Sequence, residues 1–350
     1  MSTICNGLND FLNYGVIIQV KPNYFLIGWE LERVDEPQGL CFFRSDFYLN
    51  QQEWLHPKQY QYISKEALLT SLAPLQVSLP YLNWTPYSKA LFQQTFTEIQ
   101  TQFNASQFEK IVPTIYEKSI LENMINHRAT LLFQVLSQIQ SSDDDFLYGQ
   151  WDLNEGIMGK SPEYLFKYNN KTNYLETMAI AGTSSINHSP IQLIQSAKDN
   201  HEHALVVQGI QETLQKWGNV QIKQRQTIQT NAFYHLYTPM TCQLTIPFQF
   251  DKILKILHPT PALSGYPQFA SIKWLQSSFQ HIHRQQFGAP FGFIDENNNY
   301  QILIAIRNIQ WQLDTISIWA GCGIVPESNF ENEWIELNDK ISAVKAQFKL

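Results

Sequence analysis

The run Trp319-Ala-Gly-Cys-Gly-Ile-Val-Pro-Glu-Ser-Asn-Phe-Glu-Asn-Glu-Trp-Ile-Glu-Leu-Asn-Asp-Lys340 constrains this chain more than any other stretch. It begins as the end of a buried strand and passes through Gly321 and Gly323, where the missing Cβ lets another group approach the backbone closely. Ser328 or Asn329 then supplies a helix N-cap, and Phe330 opens an apolar stripe. Phe330, Trp334, Leu337, Ile341, Val344 and Phe348 recur at spacings of three and four, so they share one helix face. Glu333, Glu336 and Lys340 recur at the same spacings and form a second stripe, about a quarter turn from the first. Asn332 and Asp339 take the solvent side, where carboxylates that serve solubility alone would stand. At the edge of the core, behind a glycine-rich strand end, Glu333 and Glu336 read as a cation site facing a cleft. Glu336 and Lys340 read equally as a surface pair worth a few tenths of a kcal/mol.

The rest of the chain is consistent with a large soluble fold around such a cleft. Of 350 residues, 44% are hydrophobic and 13% aromatic, which excludes a disordered chain. No Gly/Ser-rich or Pro-rich linker and no charge block divides it, so one large domain is expected. The net charge of -7 argues against a nucleic-acid surface. Cys5, Cys41, Cys242 and Cys322 are scattered without a CxxC pair, which speaks against a disulfide framework or zinc site and fits a reducing compartment. No signal-peptide pattern and no apolar run long enough to span a membrane is present, so a cytoplasmic protein is expected.

In order along the chain, residues 1–95 read as short strands with turns, clearest at Tyr14-Gly-Val-Ile-Ile-Gln-Val, Tyr24-Phe-Leu-Ile-Gly-Trp and Leu40-Cys-Phe-Phe. Residues 86–104 read as a helix, Phe108 to Ile115 as a strand broken by Pro113, 119–140 as a helix, and 146–153 as a strand. Ser189-Pro190 opens what reads as one long helix to about Trp217. Tyr300 to Ile309 reads as an apolar strand carrying Arg307, and an arginine buried there needs an anionic partner. His201 and His203 are two apart on a helix, point apart, and make no zinc pair.

Several of these segments, in order, resemble the chorismate-utilising enzymes from about residue 100 to residue 350. The motifs are Lys110, Ser161-Pro-Glu163, Ala181-Gly-Thr183, Lys198-Asp-Asn-His-Glu202-His203, His235-Leu236, Arg307, Gly321-x-Gly323 and Glu333-x-x-Glu336-x-x-x-Lys340. The run His258-Pro-Thr-Pro-Ala-Leu-Ser-Gly-Tyr-Pro267 is similar to that of isochorismate synthases and unlike the anthranilate synthase type. The resemblance implies an α+β, anthranilate synthase component I-like fold: two antiparallel β-sheets in a sandwich, helices outside, and an active site in a cleft. Residues 1–95 would be a variable strand-rich part, and 96–350 the catalytic region of one continuous domain.

The same resemblance implies isochorismate synthase activity with chorismate as substrate and Mg2+ as cofactor. Glu202 and Glu336 would bind the metal, with Glu333 and Asp199 beside them. Lys110 would be the general base and Glu163 the general acid, although taken alone the first also reads as a surface strand-end lysine and the second as a helix-start carboxylate. Gly182, Thr183, His235, Arg307, Gly321, Gly323 and Lys340 would meet the substrate. Phe287 stands where the family usually has a tyrosine. Pro113, Ile115 and Ser184 are further departures. A salicylate synthase, an ammonia-using anthranilate or aminodeoxychorismate synthase, and a chorismate-binding protein without turnover are the alternatives. A monomer without a glutaminase subunit is expected, and menaquinone and siderophore pathways both stay open.

Overall fold

A computed structural model describes residues 7–140, 145–230, 232–277 and 284–350, so Cys5 lies outside the described residues. The N-terminal part contains α1 (Leu8–Asn13), β1 (Gly15–Lys21), β2 (Tyr24–Val34), β3 (Cys41–Ser45), β4 (Gln52–Ser64) and α2 (Lys65–Leu72). Next come α3 (Lys89–Asn104), β5 (Lys110–Ile111), β6 (Thr114–Ile120), α4 (Met124–Ser137), β7 (Phe146–Trp151), β8 (Glu155–Ser161), β9 (Tyr164–Asn169) and β10 (Tyr174–Ser185). They are followed by α5 (Pro190–Gln195), α6 (Ala197–Leu214), β11 (Gly218–Ile222), β12 (Gln226–Gln229), β13 (Phe233–Leu244), α7 (Phe250–Leu257), β14 (Gly265–Tyr266) and α8 (Gln268–Ser277). The chain closes with β15 (Pro290–Ile294), β16 (Tyr300–Ile304), β17 (Asn308–Gln312), β18 (Thr315–Gly321) and α9 (Phe330–Phe348).

Strand alternation shows how these elements layer. In β1, Val16 and Ile18 point into a cluster built from strand and strand-end residues, whereas Ile17 points into a cluster shared with helices α1 to α4 and α9. In β15 and β16, Phe291, Phe293 and Leu303 join the same strand-built cluster, while Ile302 and Ile304 face α6 and α7. Successive side chains of a strand point to opposite faces, so the strand-built cluster is the interior of a sandwich and the helices cover its outer faces. The two layers belong to one hydrogen-bonded antiparallel path, β11-β13-β10-β9-β16-β15-β3-β4-β2-β1-β7-β8-β17-β18-β6, with β12 added on β13. The N-terminal strands β1 to β4 lie in the middle of this path.

Local readings differ from the structure at several places. Residues 1–95, read as strands with turns, also hold the helices α1 and α2. The expected helix over 119–140 starts only at Met124, because β6 stays paired with β18 as far as Ile120. The expected long helix from Pro190 breaks at Ser196, whose hydroxyl accepts from the Asp199 amide and caps a new helix, α6. Arg307 is not in a strand. β16 ends at Ile304, and Arg307 stands at φ 56 in the turn before β17, so its side chain leaves the sheet. Among the described residues, no helix is long and apolar enough to cross a membrane.

Candidate active site

The two-residue strand β5 is held from both sides. Tyr266 of β14 pairs with Lys110, the Val112 amide donates to the Ser264 carbonyl, and Ser271 donates its hydroxyl to the Lys110 carbonyl. On the other side, Ile111 and Ile324 exchange two backbone hydrogen bonds, at 3.0 and 2.8 Å. The His258–Pro267 run and the glycine-rich segment that follows β18 therefore clamp Lys110 between them. Gly323 is required here, because a Cβ would lie 2.0 Å from Glu202 Oε1 and 2.7 Å from Lys110 Cε. The Lys110 side chain is fully buried, so the solvated strand-end reading fails. Its Nζ lies 3.1 Å from Glu202 Oε1. Burial pulls its pKa below the ordinary lysine value, against the opposing pull of Glu202.

Helices α6 and α9 bring the acidic residues together. Lys198 lies 3.1 Å from Glu202 Oε2, 3.1 Å from Glu333 Oε1 and 3.5 Å from Asp199 Oδ1. Burial opposes its charge, but the surrounding carboxylates raise its pKa well above the ordinary value. Burial also opposes the charge of Glu202, yet Lys198 and Lys110 hold its carboxyl down at about 2. Glu333 is pushed up to about 7 by burial, and its Oε2 is buried without a hydrogen-bond partner. Glu336 pairs instead with Lys340 at 2.5 Å, and Lys340 also donates to the Gly321 carbonyl at 2.8 Å. That pair is about 15% and 14% exposed, so it is not an ordinary surface pair.

A cavity of about 90 Å³ opens beside this cluster. Glu163, Glu202, Glu336 and Lys340 line it, as do Gly321 and Gly323. Gly182, Thr183, His235, Phe287 and Arg307 form further parts of the wall. Three expected site residues do not line it: Lys110 is enclosed behind it, while Asp199 and Glu333 face a neighbouring pocket across the carboxylate cluster. Glu163 lies in the link between β8 and β9, not at a helix start, and its pKa is pushed up to about 8 by burial, against the pull of Lys110. It is therefore a protonated acid at neutral pH. Gly182, at φ 75, makes the bulge in β10 beside His235. Burial holds His235 neutral, its pKa well below the ordinary value. Its Nε2 then accepts from Arg307 Nη2 at 3.5 Å, and its Nδ1 lies 3.2 Å from the Thr183 hydroxyl. The Arg307 guanidinium stacks 4.3 Å from the Phe233 ring, and burial lowers its pKa only to about 10, so it stays charged. The site thus unites an enclosed lysine, a protonated carboxyl, partly buried cations suited to carboxylates, and a carboxylate cluster.

Comparisons with known proteins identify the family and the fold. The profile of the chorismate binding enzyme family matches residues 34–349. The chain belongs to the chorismate-binding enzymes. Among curated relatives, the salicylate biosynthesis isochorismate synthase of Pseudomonas aeruginosa is 31% identical over 201 residues, covering 55% of this chain and 42% of the relative. Isochorismate synthase EntC of Escherichia coli K12 is 29% identical over 203 residues, covering 55% and 51%. The chain thus matches about half of the length of these relatives. Among solved structures, menaquinone-specific isochorismate synthase MenF from Escherichia coli superposes with a TM-score of 0.81 at 17% identity, covering 99% of this chain and 92% of that one. Anthranilate synthase component I from Streptococcus pneumoniae TIGR4 superposes with a TM-score of 0.70 at 16% identity, covering 89% and 82%. These likenesses show the sandwich fold.

In this chorismate-binding enzyme the donor chemistry of α6 and α9 fits a hard divalent cation such as Mg2+. Every donor is a carboxylate oxygen, and one of them, Glu333 Oε2, is buried without a partner. Among the described residues no three ligating side chains form a ready-made metal cage. The carboxylates are turned instead toward Lys110, Lys198 and Lys340. Two residues outside the expected site set also belong here. Lys198 is the centre of the carboxylate cluster, and its i,i+4 spacing to Glu202 was its sequence signal. Arg284 lines the cavity, from a stretch with no recognisable motif.

Proposed function

We propose that the chain is an isochorismate synthase, converting chorismate into isochorismate. The observation that carries this reading is the pairing of Lys110, a buried lysine with a lowered pKa, with Glu163, a buried carboxyl that is protonated at neutral pH. Lys110 would take a proton from water as the water oxygen bonds to C2. Both ring double bonds shift, C1=C2 to C1=C6 and C5=C6 to C4=C5, the C4–O bond breaks, and Glu163 delivers its proton to the departing hydroxyl, which leaves as water. Lys110 Nζ is enclosed on Glu202 Oε1, so it meets water in the cavity only when that ion pair opens. Arg307, with backbone amides near Gly321 and Gly323, would hold the enolpyruvyl carboxylate. His235, neutral and tied to Thr183, would keep the Arg307 guanidinium in place.

Glu202 and Glu336 would hold Mg2+, with Glu333 and Asp199 beside them. Once bound, Mg2+ offsets the charge of the ring carboxylate and fixes its position. The cavity of about 90 Å³ is smaller than the roughly 300–1,000 Å³ usual for small-molecule sites, so substrate entry moves the wall.

The test is purified protein with chorismate and Mg2+, with products resolved by chromatography. Isochorismate is expected, with activity lost in excess chelator and Mg2+ binding seen by calorimetry. Salicylate with pyruvate would make the chain a salicylate synthase, and a need for ammonia would make it an anthranilate or aminodeoxychorismate synthase. Binding without turnover would make it a chorismate-binding protein. Full activity in chelator would overturn the Mg2+ assignment.

A further inference from the structure

Arg284 is 1% exposed and lines the same cavity as Arg307. Burying a guanidinium is costly unless an anion or a full set of acceptors receives its donors. Other buried arginines are better supplied. Arg44 pairs with Glu53 and donates to Gln150, and Arg128, although its Nε is unpartnered, donates through Nη1 and Nη2 to the carbonyls of Leu12, Asn13 and Asp152. Arg284 has one such bond. Its Nη2 donates to the Leu263 carbonyl at 2.9 Å, but Nε and Nη1 make no well-formed hydrogen bond among the described residues. The Tyr48 hydroxyl lies beside it as a hydrogen-bonding neighbour, and among the described residues no carboxylate acts on its charge. The surrounding chain supplies none either, since Gln268 to Ile294 contains no Asp or Glu. Burial lowers its pKa only to about 10, so the cation persists at neutral pH. The guanidinium carbon lies over the Phe47 ring, 3.9 Å from its centre, and 6.0 Å from the ring centre of Phe287, which itself lines the cavity. A planar fork fixed in orientation, with donors to spare, suits a carboxylate.

We propose that Arg284 is a second carboxylate-binding arginine of this cavity, serving with Arg307 the ligand carboxylate that lies away from Glu202 and Glu336. The assignment rests on the chorismate reading and deepens it. A dianionic ligand leaves one carboxylate for the metal side and one for the arginines, and the spare donors of Arg284 then receive acceptors that the described residues do not supply. Arg284 thereby sets the preference for a dicarboxylate over a monocarboxylate.

The test is calorimetric titration of the full chain with Mg2+ present, using chorismate and a matched pair of inert ligands. 3-(Carboxymethoxy)benzoate carries both carboxylates, and 3-methoxybenzoate lacks the second. Arg284→Met is expected to weaken the dicarboxylate by at least about tenfold, the scale of a lost hydrogen bond to a charged group, and to leave the monocarboxylate unchanged. Arg284→Gln, which can keep the bond to Leu263, is expected to behave alike and serves if Met prevents folding. Equal losses for both ligands, or none for either, would overturn the proposal and make Arg284 structural. Wild-type protein that binds neither chorismate nor the dicarboxylate would sink the chorismate reading, and Arg284's assignment with it. Wild-type turnover of chorismate with unchanged binding by the variants would sink the Arg284 assignment alone.

Discussion

At the scale of single residues, the site depends on what burial does to protons. Lys110 and Glu163 are perturbed in complementary directions by the same cause, loss of water, so the base holds its proton less tightly and the acid more tightly. Lys110→Ala and Glu163→Gln are each expected to lower kcat by about 10²–10⁴ with little change in KM, and less than additively when combined, because both act in one displacement. Steady-state kinetics on variants with wild-type circular dichroism check this, and wild-type kcat in folded Lys110→Ala protein would remove the water-activation step. The pH dependence follows from Glu163. Protonation at about 8 keeps the acid loaded at neutral pH, so kcat should fall as pH rises past about 8, and Glu163→Gln should lose that limb. The sign for stability is the same: the raised pKa favours the folded state fully below the unfolded value of 4.5, and this contribution is lost as pH rises through about 8.

At the scale of elements, α9 couples core packing to the carboxylate cluster. Leu337, Ile341, Val344 and Phe348 are buried on one face, and Glu333, Glu336 and Lys340 project from the adjoining stripe. Its start is set by Asn329, whose side chain accepts from the Glu331 and Asn332 amides. Ser328, the other N-cap candidate, accepts instead from the Val325 amide and closes the preceding turn. Asn329→Ala should cost about 1 kcal/mol, a fall in Tm of about 1–2 °C for a chain of this size, and Asn329→Ser should recover most of it. Scanning calorimetry measures both, and an unchanged Tm in Asn329→Ala would show that the cap contributes nothing.

At the scale of the whole molecule, the sheet path makes the two ends of the chain interdependent. β3 pairs with β15 and β1 pairs with β7, so removing β1 to β4 would cut the path in its middle and leave two unpaired edges. The fragment 96–350, although it carries all fourteen expected site residues, should therefore not fold by itself. Circular dichroism and thermal melting decide this, since a cooperative melt of that fragment would show that the N-terminal strands are dispensable.

Local patterns in the sequence sufficed for the apolar and acidic stripes of α9 and for the close approach allowed at Gly323. All of these depend on spacing within one element or on a missing Cβ. Sequence patterns could not tell a solvated Lys110 from an enclosed one, place Glu163 outside a helix, or take Arg307 out of its strand. Nor could they show that Lys198 would gather three carboxylates, or that Arg284 would lack one. Those outcomes depend on which charges meet after distant segments pack, with β5 clamped between β14 and the segment that follows β18, and α6 facing α9. Burial and pairing are properties of that meeting, and the energy of a charge changes with its surroundings far more than with its neighbours in sequence.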